Sequence, residues 1–340
     1  MPIGKKNQGF TIIELMVVIA AIAILMGVLL VGLQSASRLS KNVRSMSRLK
    51  QLHIGWTTYA NAYEDRLLPG YLDVDVQSAW RVRYRAPNGE RLDPNVCRTY
   101  PWRLLPYLDY DLDAMYGYSS NLAQLENTIG VDAQGEVTQS QALIADTPAF
   151  GYNAYYVGGW WEARTDGDTV RPHLTYGNTA AEIRVGDDLR MAKGRLVART
   201  MGQIANPSRL IAFCSSVTRN PGIYMRQEDN PIGAAWVVPR RLCTVTVWDE
   251  YGGDSRVGIV GGATTAPVQS GGEGMEVFVE QAVPLRRHGI SVPILNCDGS
   301  TEQTMLNDLL DMDRWTSPAS QAAVRPSLFE HDCDPPGGQP

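Results

Sequence analysis

The residues best suited to proton chemistry stand near the C-terminus, in R-R-H-G-I-S-V-P-I-L-N-C-D-G-S, where His288 is followed by nine residues and then Asp298-Gly299. A histidine and an aspartate can act as an acid–base pair. No nucleophile motif accompanies them, because the chain contains neither G-x-S-x-G nor H-E-x-x-H. The pattern therefore favours a structural role, with a histidine bonded to backbone and an aspartate shaping a turn, and no catalytic residue is expected. A second group is Asp109, Asp111 and Asp113, alternating in L-D-Y-D-L-D. Calcium takes six to eight oxygens, and three loop carboxylates could contribute some of them. An EF-hand is not completed, since Ala114 stands at position six and Ser120 at position twelve. No cofactor or metal is expected, and these three aspartates are the candidates should calcium bind. The cysteines, Cys97, Cys214, Cys243, Cys297 and Cys333, form no C-x-x-C pair, which disfavours a zinc ribbon or a thioredoxin-like site. One or two disulfides in an exported chain, or five reduced thiols, both fit this spacing.

A different chemistry is implied by Glu14. It is the one charge in Phe10 to Leu33, a run of 24 residues. As a helix that run spans roughly 36 Å, enough to cross a bilayer core. Lys5 and Lys6 before it favour a cytoplasmic N-terminus. Three fates of the segment compete. It could be a secretory signal removed after the apolar run, where Ser35-Ala36-Ser37 offers small residues. It could be a plain anchor. It could also be cut before the apolar run, so that the helix stays in the mature protein. A carboxylate within a membrane segment costs roughly 2.5–3.5 kcal/mol, and neither a signal nor an anchor gains anything from it. A cut between Gly9 and Phe10 gives it a role. The new α-amino group would lie four residues before Glu14, and in an apolar assembly that ammonium needs a carboxylate partner, its own or a neighbour's. Such pairing favours one axial register between subunits. Losing Lys5 and Lys6 with the leader takes the formal charge from −5 to −7.

The elements that position these residues begin with the same helix. Leu39, Val43, Met46, Leu49, Leu52, Trp56, Tyr59 and Tyr63 recur at three- and four-residue spacing and trace one helical face. Arg38, Lys41, Arg44, Arg48 and Lys50 fall between them and read as a solvated face, with anionic lipid headgroups as the alternative contact. Phe10 to Tyr63 thus reads as one helix of roughly 80 Å, with Gly27, Gly32 and Gly55 as points where it could bend. Beyond Pro69 the pattern changes to short β-prone runs punctuated by Gly, Pro, Asn and Asp, including Ala235–Val238, Thr244–Trp248, Met275–Val279 and Ile290–Asn296. Asp298-Gly299 signals a hairpin turn into Thr301–Met305, and Pro293 suggests an edge position or a bulge. Short helices are expected near Trp102–Leu108 and Ser119–Leu125, and a loop over Gly261–Gly274. The fold class is α+β: a long N-terminal helix packed on a mainly antiparallel sheet with insertions. The expected division is a leader over 1–9, a membrane and assembly helix over 10–33, its amphipathic continuation over 34–64, an exported head over 65–330 and a disordered tail over 331–340. An acidic chain without a long basic run disfavours nucleic acid as a partner. The eight tryptophans, Trp160-Trp161 among them, suit core or subunit contacts.

The string G-F-T-I-I-E-L, Gly9 to Leu15, closely resembles the processing site of type IV prepilins and pseudopilins, with a glutamate at the fifth mature position. The His288…Asp298-Gly299 spacing resembles the H-(nine residues)-D-G motif of a large family of bacterial prepilin-like proteins. Pro101–Leu108, Gly151–Gly159 and Asn206-Pro207-Ser208 are similar to that family's stretches as well. The resemblance implies cleavage after Gly9, N-methylation of Phe10 and an assembly role for Glu14. It implies a single-pass inner-membrane precursor whose head lies in the periplasm or at the cell surface. Its partners would be a prepilin peptidase and methylase, identical or related subunits, and secretion or pilus machinery. The implied function is a filament subunit of a type IV pilus or type II secretion pseudopilus. The alternative is a membrane-anchored binding module that uses the same route without polymerising. Calcium-binding loops of major pseudopilins add to the case for Asp109, Asp111 and Asp113.

Overall fold

A computed structural model describes residues 12–116, 139–166, 169–174, 181–185, 188–192, 197–217, 233–237, 249–251, 258–261, 283–286, 291–305, 307–316 and 323–324. The architecture is α+β, a long helix with antiparallel and mixed sheets. The chain divides into two units, residues 1–44 and residues 45–340.

The first unit is the start of α1, a helix that runs from Ile12 to Ala62. Aliphatic side chains from Ile12 to Leu33, such as Ile13, Val17, Ile24 and Leu29, are exposed. By length and composition this stretch is apolar enough to cross a membrane. The helix passes through Gly27 and Gly32 without a break, and no atom lies within 4 Å of where a Cβ would stand at either.

In the second unit the rest of α1 lies in the core. Leu49, Leu52, Trp56 and Tyr59 are buried on one face. The expected stripe is shorter than its sequence pattern, because Leu39 and Val43 belong to the first unit and are exposed. Arg48 departs from the solvated face expected for the basic residues. It is buried one turn from Leu52, and its Nε and Nη2 donate to the two carboxylate oxygens of Asp113 at 3.2 and 2.6 Å. Arg38, Lys41, Arg44 and Lys50 are exposed. At Gly55 the helix is unbroken, and the missing side chain admits Leu108, whose Cδ2 would be 2.7 Å from a Cβ.

The head begins with β1 (Tyr71–Leu72) and continues through α2 (Val74–Ala79), α3 (Tyr100–Leu104), α4 (Asp113–Tyr116) and α5 (Gln139–Asp146). The helix expected over Trp102–Leu108 is α3 followed by a 3₁₀ turn over Leu105–Leu108. Pro106 lacks the N–H that a further α-turn needs, so the winding tightens there. Strands β2 (Phe150–Tyr152), β3 (Trp160–Asp166), β4 (Thr169–Leu174), β5 (Ala181–Val185), β6 (Asp188–Ala192) and β7 (Ile211–Val217) follow. The remaining strands are β8 (Asp249–Tyr251), β9 (Gly258–Gly261), β10 (Val283–Arg286), β11 (Val292–Asn296), β12 (Thr301–Thr304) and β13 (Ala323–Val324).

Among the described residues three sheets form, in the orders β1–β3–β4, β12–β11–β7–β10–β9–β8 and β13–β6–β5, with β2 also paired to β7. The pairing is antiparallel except for β1 with β3, which aligns Tyr71 with Trp160 in parallel. Pro293 is not at the bulge, but it holds a locally unpaired edge position in an inner strand. β11 pairs with β12 through Pro293 and Gln303, while its pairing with β7 begins only at Ile294, and the bulge falls between Leu295 and Asn296. A residue without an N–H is tolerated at that position because the second ladder has not yet started. Of the expected Ala235–Val238 strand, Trp236 makes a parallel bridge to Tyr152. Val238, Thr244–Trp248, Met275–Val279, Ser119–Leu125 and the tail at 331–340 lie outside the described residues.

The core is aromatic, and several of its polar side chains reach partners across it. Trp56 Nε1 donates to the Tyr152 hydroxyl at 3.0 Å, and that hydroxyl donates to the Leu68 carbonyl at 3.0 Å. Tyr100 donates to the Phe150 carbonyl and Trp102 to that of Gln141. Asn153 Nδ2 reaches the carbonyls of Ile211 and Trp315 at 2.9 and 2.8 Å. Gly158 turns the chain at φ +74°, and a Cβ there would lie 1.8 Å from the Leu68 carbonyl oxygen. Gly89 has a similar φ of +86° but open space around it. Gly158→Ala should therefore destabilise the head by about 3 kcal/mol or more, and Gly89→Ala by only about 1 kcal/mol. Urea unfolding of the two variants checks this, and equal losses would contradict the close approach at Gly158.

Candidate functional site: the apolar helix and the Asp-Gly turn

Glu14 stands in the first turn of α1 and is exposed. It is the only charged residue from Ile12 to Ser37. An acid there complements the positive end of the helix dipole. Gly9 and Phe10, the residues of the expected cleavage, lie outside the described residues.

At the other end of the chain, His288 also lies outside the described residues, whereas Asp298 and Gly299 lie within them. They form the turn between β11 and β12. The Asp298 carboxylate accepts from the Ser300 amide at 2.9 Å and the Ser300 hydroxyl at 2.6 Å, as a short acidic side chain does when it shapes a turn. Its backbone amide donates to the Pro207 carbonyl at 3.1 Å. Gly299 adopts φ +88°, and a Cβ on it would come within 2.7 Å of the His53 ring. The turn is thus held to the Asn206-Pro207-Ser208 stretch on one side and lies against α1 on the other. In the same core, Arg103 donates from Nη2 to the Gly70 carbonyl at 3.0 Å, and the Gly70 amide donates to the Gly159 carbonyl at 2.8 Å. Pro101–Leu108 and Gly151–Gly159 thus contribute to one core.

The three aspartates have separate tasks. Asp109 takes a left-handed backbone conformation at the end of the 3₁₀ turn. Asp111 accepts from the Asp113 amide at 2.9 Å, and Asp113 pairs with Arg48. Among the described residues no group of three His, Cys, Asp or Glu side chains is placed to hold a metal ion. Cys97, Cys214 and Cys297 are buried and unbridged, while Cys243 and Cys333 lie outside the described residues. Burial pushes the Cys97 thiol up to about 12, which keeps it protonated and unreactive.

The residue that sequence reasoning missed is His53. Its helical position, three residues before Trp56, was the available signal. The two rings are 6.0 Å apart. Its Nδ1 is buried with no hydrogen-bond partner. Burial holds its pKa below the ordinary 6.5, and the Asp298 carboxylate pulls in the opposite direction. A histidine that is harder to protonate when folded favours the unfolded chain once protons bind. The head should therefore hold its stability above pH 6.5 and lose it as the pH falls from 6.5 toward the lower folded value. Glu302 is also depressed: burial acts upward, but Arg314 overrides it, and its effect falls below pH 4.5. Urea midpoints measured from pH 7.5 to 5 should drop for the native chain, flatten for His53→Gln, and steepen for Asp298→Asn. A midpoint in His53→Gln that tracks the native profile would rule out this assignment.

Residues 4–30 match the family described as the prokaryotic N-terminal methylation motif. No curated protein and no solved structure matches the chain. The matched residues take in the start of α1, whose apolar stretch is long enough to cross a membrane, and the match supports a prepilin-type route.

Proposed function

We propose that the chain is a structural subunit of a type IV pilus-like or type II secretion pseudopilus filament. It is inserted in the inner membrane, cut between Gly9 and Phe10, methylated on Phe10 and assembled through α1. Its head then lies in the periplasm or at the cell surface. The observation that carries this reading is the single carboxylate of Glu14 in the otherwise uncharged first part of α1, from Ile12 to Ser37, four residues after the expected new N-terminus. In lipid, Glu14 and a free ammonium are each costly. Brought together between neighbouring helices they offset one another, and their pairing selects one register. The exposed aliphatic surface from Ile12 to Leu33 supports the same reading, because it needs lipid before assembly and other apolar helices after it. No enzymatic step is required of the head, which serves as the covalently attached cargo and contact surface of each subunit.

The test is Glu14→Leu, which makes the helix more apolar and so leaves membrane insertion intact. Filaments sheared from expressing cells should fall to background, while the amount of processed protein in the membrane stays the same. Undiminished filaments would remove Glu14 from assembly. A working surface protein that never yields filaments, native or variant, would favour an anchored binding module.

A further inference from the structure

A cleft of about 640 Å³ opens in the head between the end of α1 and the start of β3. That is the size of an ordinary small-ligand site, roughly 300–1,000 Å³. Its walls carry four aromatic rings. Tyr59 and Tyr63 are one helical turn apart with centroids at 4.5 Å, and Trp80 meets Trp161 edge-on at 5.0 Å. The Trp161 indole is fixed by donation to the Gly158 carbonyl at 2.9 Å. Trp80 and Tyr63 keep 39% and 43% of their surface exposed, unusual for rings with a core so close. Among the described residues the lining includes Arg66 and Arg199 but no Asp or Glu, although the chain as a whole is acidic.

The backbone around the cleft is strained. Glu64 and Asp65, with φ of 54° and 61°, lead into Arg66, and Arg81, at φ 58°, stands between Trp80 and Val82. Arg81 ends α2 where glycine is usual: its amide donates to Ser78, and that of Val82 to Gln77. Each such residue costs about 1 kcal/mol or more, and the cost falls at the positions that aim Arg66, Trp80 and Val82 at the cleft.

We infer that this cleft binds a saccharide bearing carboxylates, of the uronic acid class. The apolar C–H faces of pyranose rings lie against Tyr63, Trp80 and Trp161, and a ring carboxylate meets the Arg66 guanidinium. An acidic peptide fits less well. Extended peptides dock through main-chain hydrogen bonds, and the wall's own main chain is engaged. Arg66 bridges Thr200, Leu67 donates to Arg199, and Gly158 donates to Ala198. Nucleic acid fits less well again, because two arginines make no basic tract. The inference does not depend on whether subunits polymerise.

The experiment uses the full chain in detergent, with intrinsic tryptophan fluorescence and calorimetry as readouts. The probes are oligogalacturonate, its fully methyl-esterified form, an oligoglutamate and a thymidine oligonucleotide. Arg66 and Trp80 are exposed, so Arg66→Gln and Trp80→Ala leave the fold intact. Oligogalacturonate should bind and quench tryptophan emission, and its methyl ester should bind about tenfold more weakly, the size of one charge-assisted hydrogen bond. Arg66→Gln should abolish the difference between acid and ester, and Trp80→Ala should weaken both. Absence of oligogalacturonate binding, equal affinity for acid and ester, indifference to both substitutions, or tighter binding of oligoglutamate or the oligonucleotide would each overturn the assignment.

Discussion

The hydrogen bond from the Trp56 indole to the Tyr152 hydroxyl, relayed to the Leu68 carbonyl, ties the end of α1 to β2 and to the chain that leaves the helix. All of these atoms are buried, where an unmet donor or acceptor costs about 1–3 kcal/mol, so the three residues hold one another in a single arrangement. Around them Tyr100, Tyr152 and Phe213 stack edge and face, and Gly158 passes close to the same Leu68 carbonyl. Because α1 is one helix, the residues that anchor positions 45–62 in the head are continuous in backbone with the apolar stretch beginning at Ile12. One element thus meets two solvents: protein interior at Trp56, and a surface of Leu, Ile and Val that water does not suit.

The placement of charge follows from that division. Arg103 is fully buried and meets carbonyls of Thr99, Gly70 and Arg98. A planar guanidinium can serve several carbonyls at once, which gathers the loop before α3 and the turn before β1 about one point. Arg48 is buried as well, but its partner Asp113 is half exposed. Exposed ion pairs contribute about 0–1 kcal/mol. The pair matters more for what its loss would leave, a buried cation without its carboxylate.

Much of this was legible in the sequence because periodicity and turn chemistry are local. The long helix, the strand before Asp298-Gly299 and the hairpin after it all follow from spacing and from residues that tolerate a left-handed turn. What was not legible depends on contacts distant in sequence. Nothing local shows that Arg48 meets Asp113, or that His53 lies under Gly299. Trp160 and Trp161 illustrate the limit well. Adjacent residues of a strand face opposite sides, so one indole enters the core beside Tyr71 and the other lines the cleft. Sequence could assign aromatic character to the pair but not the side on which each would fall. Tyr59 and Tyr63 divide in the same way, since the helix ends between a buried turn and an open one.

The account rests on a helix that remains in the mature protein with Glu14 near its start. The most direct measurement is the intact mass and N-terminal sequence of the protein extracted from membranes. The account predicts a chain that begins at Phe10 and carries one added methyl group. A chain beginning near Arg38 would contradict it, because the apolar helix would then have been a conventional signal and Glu14 would be absent from the working protein.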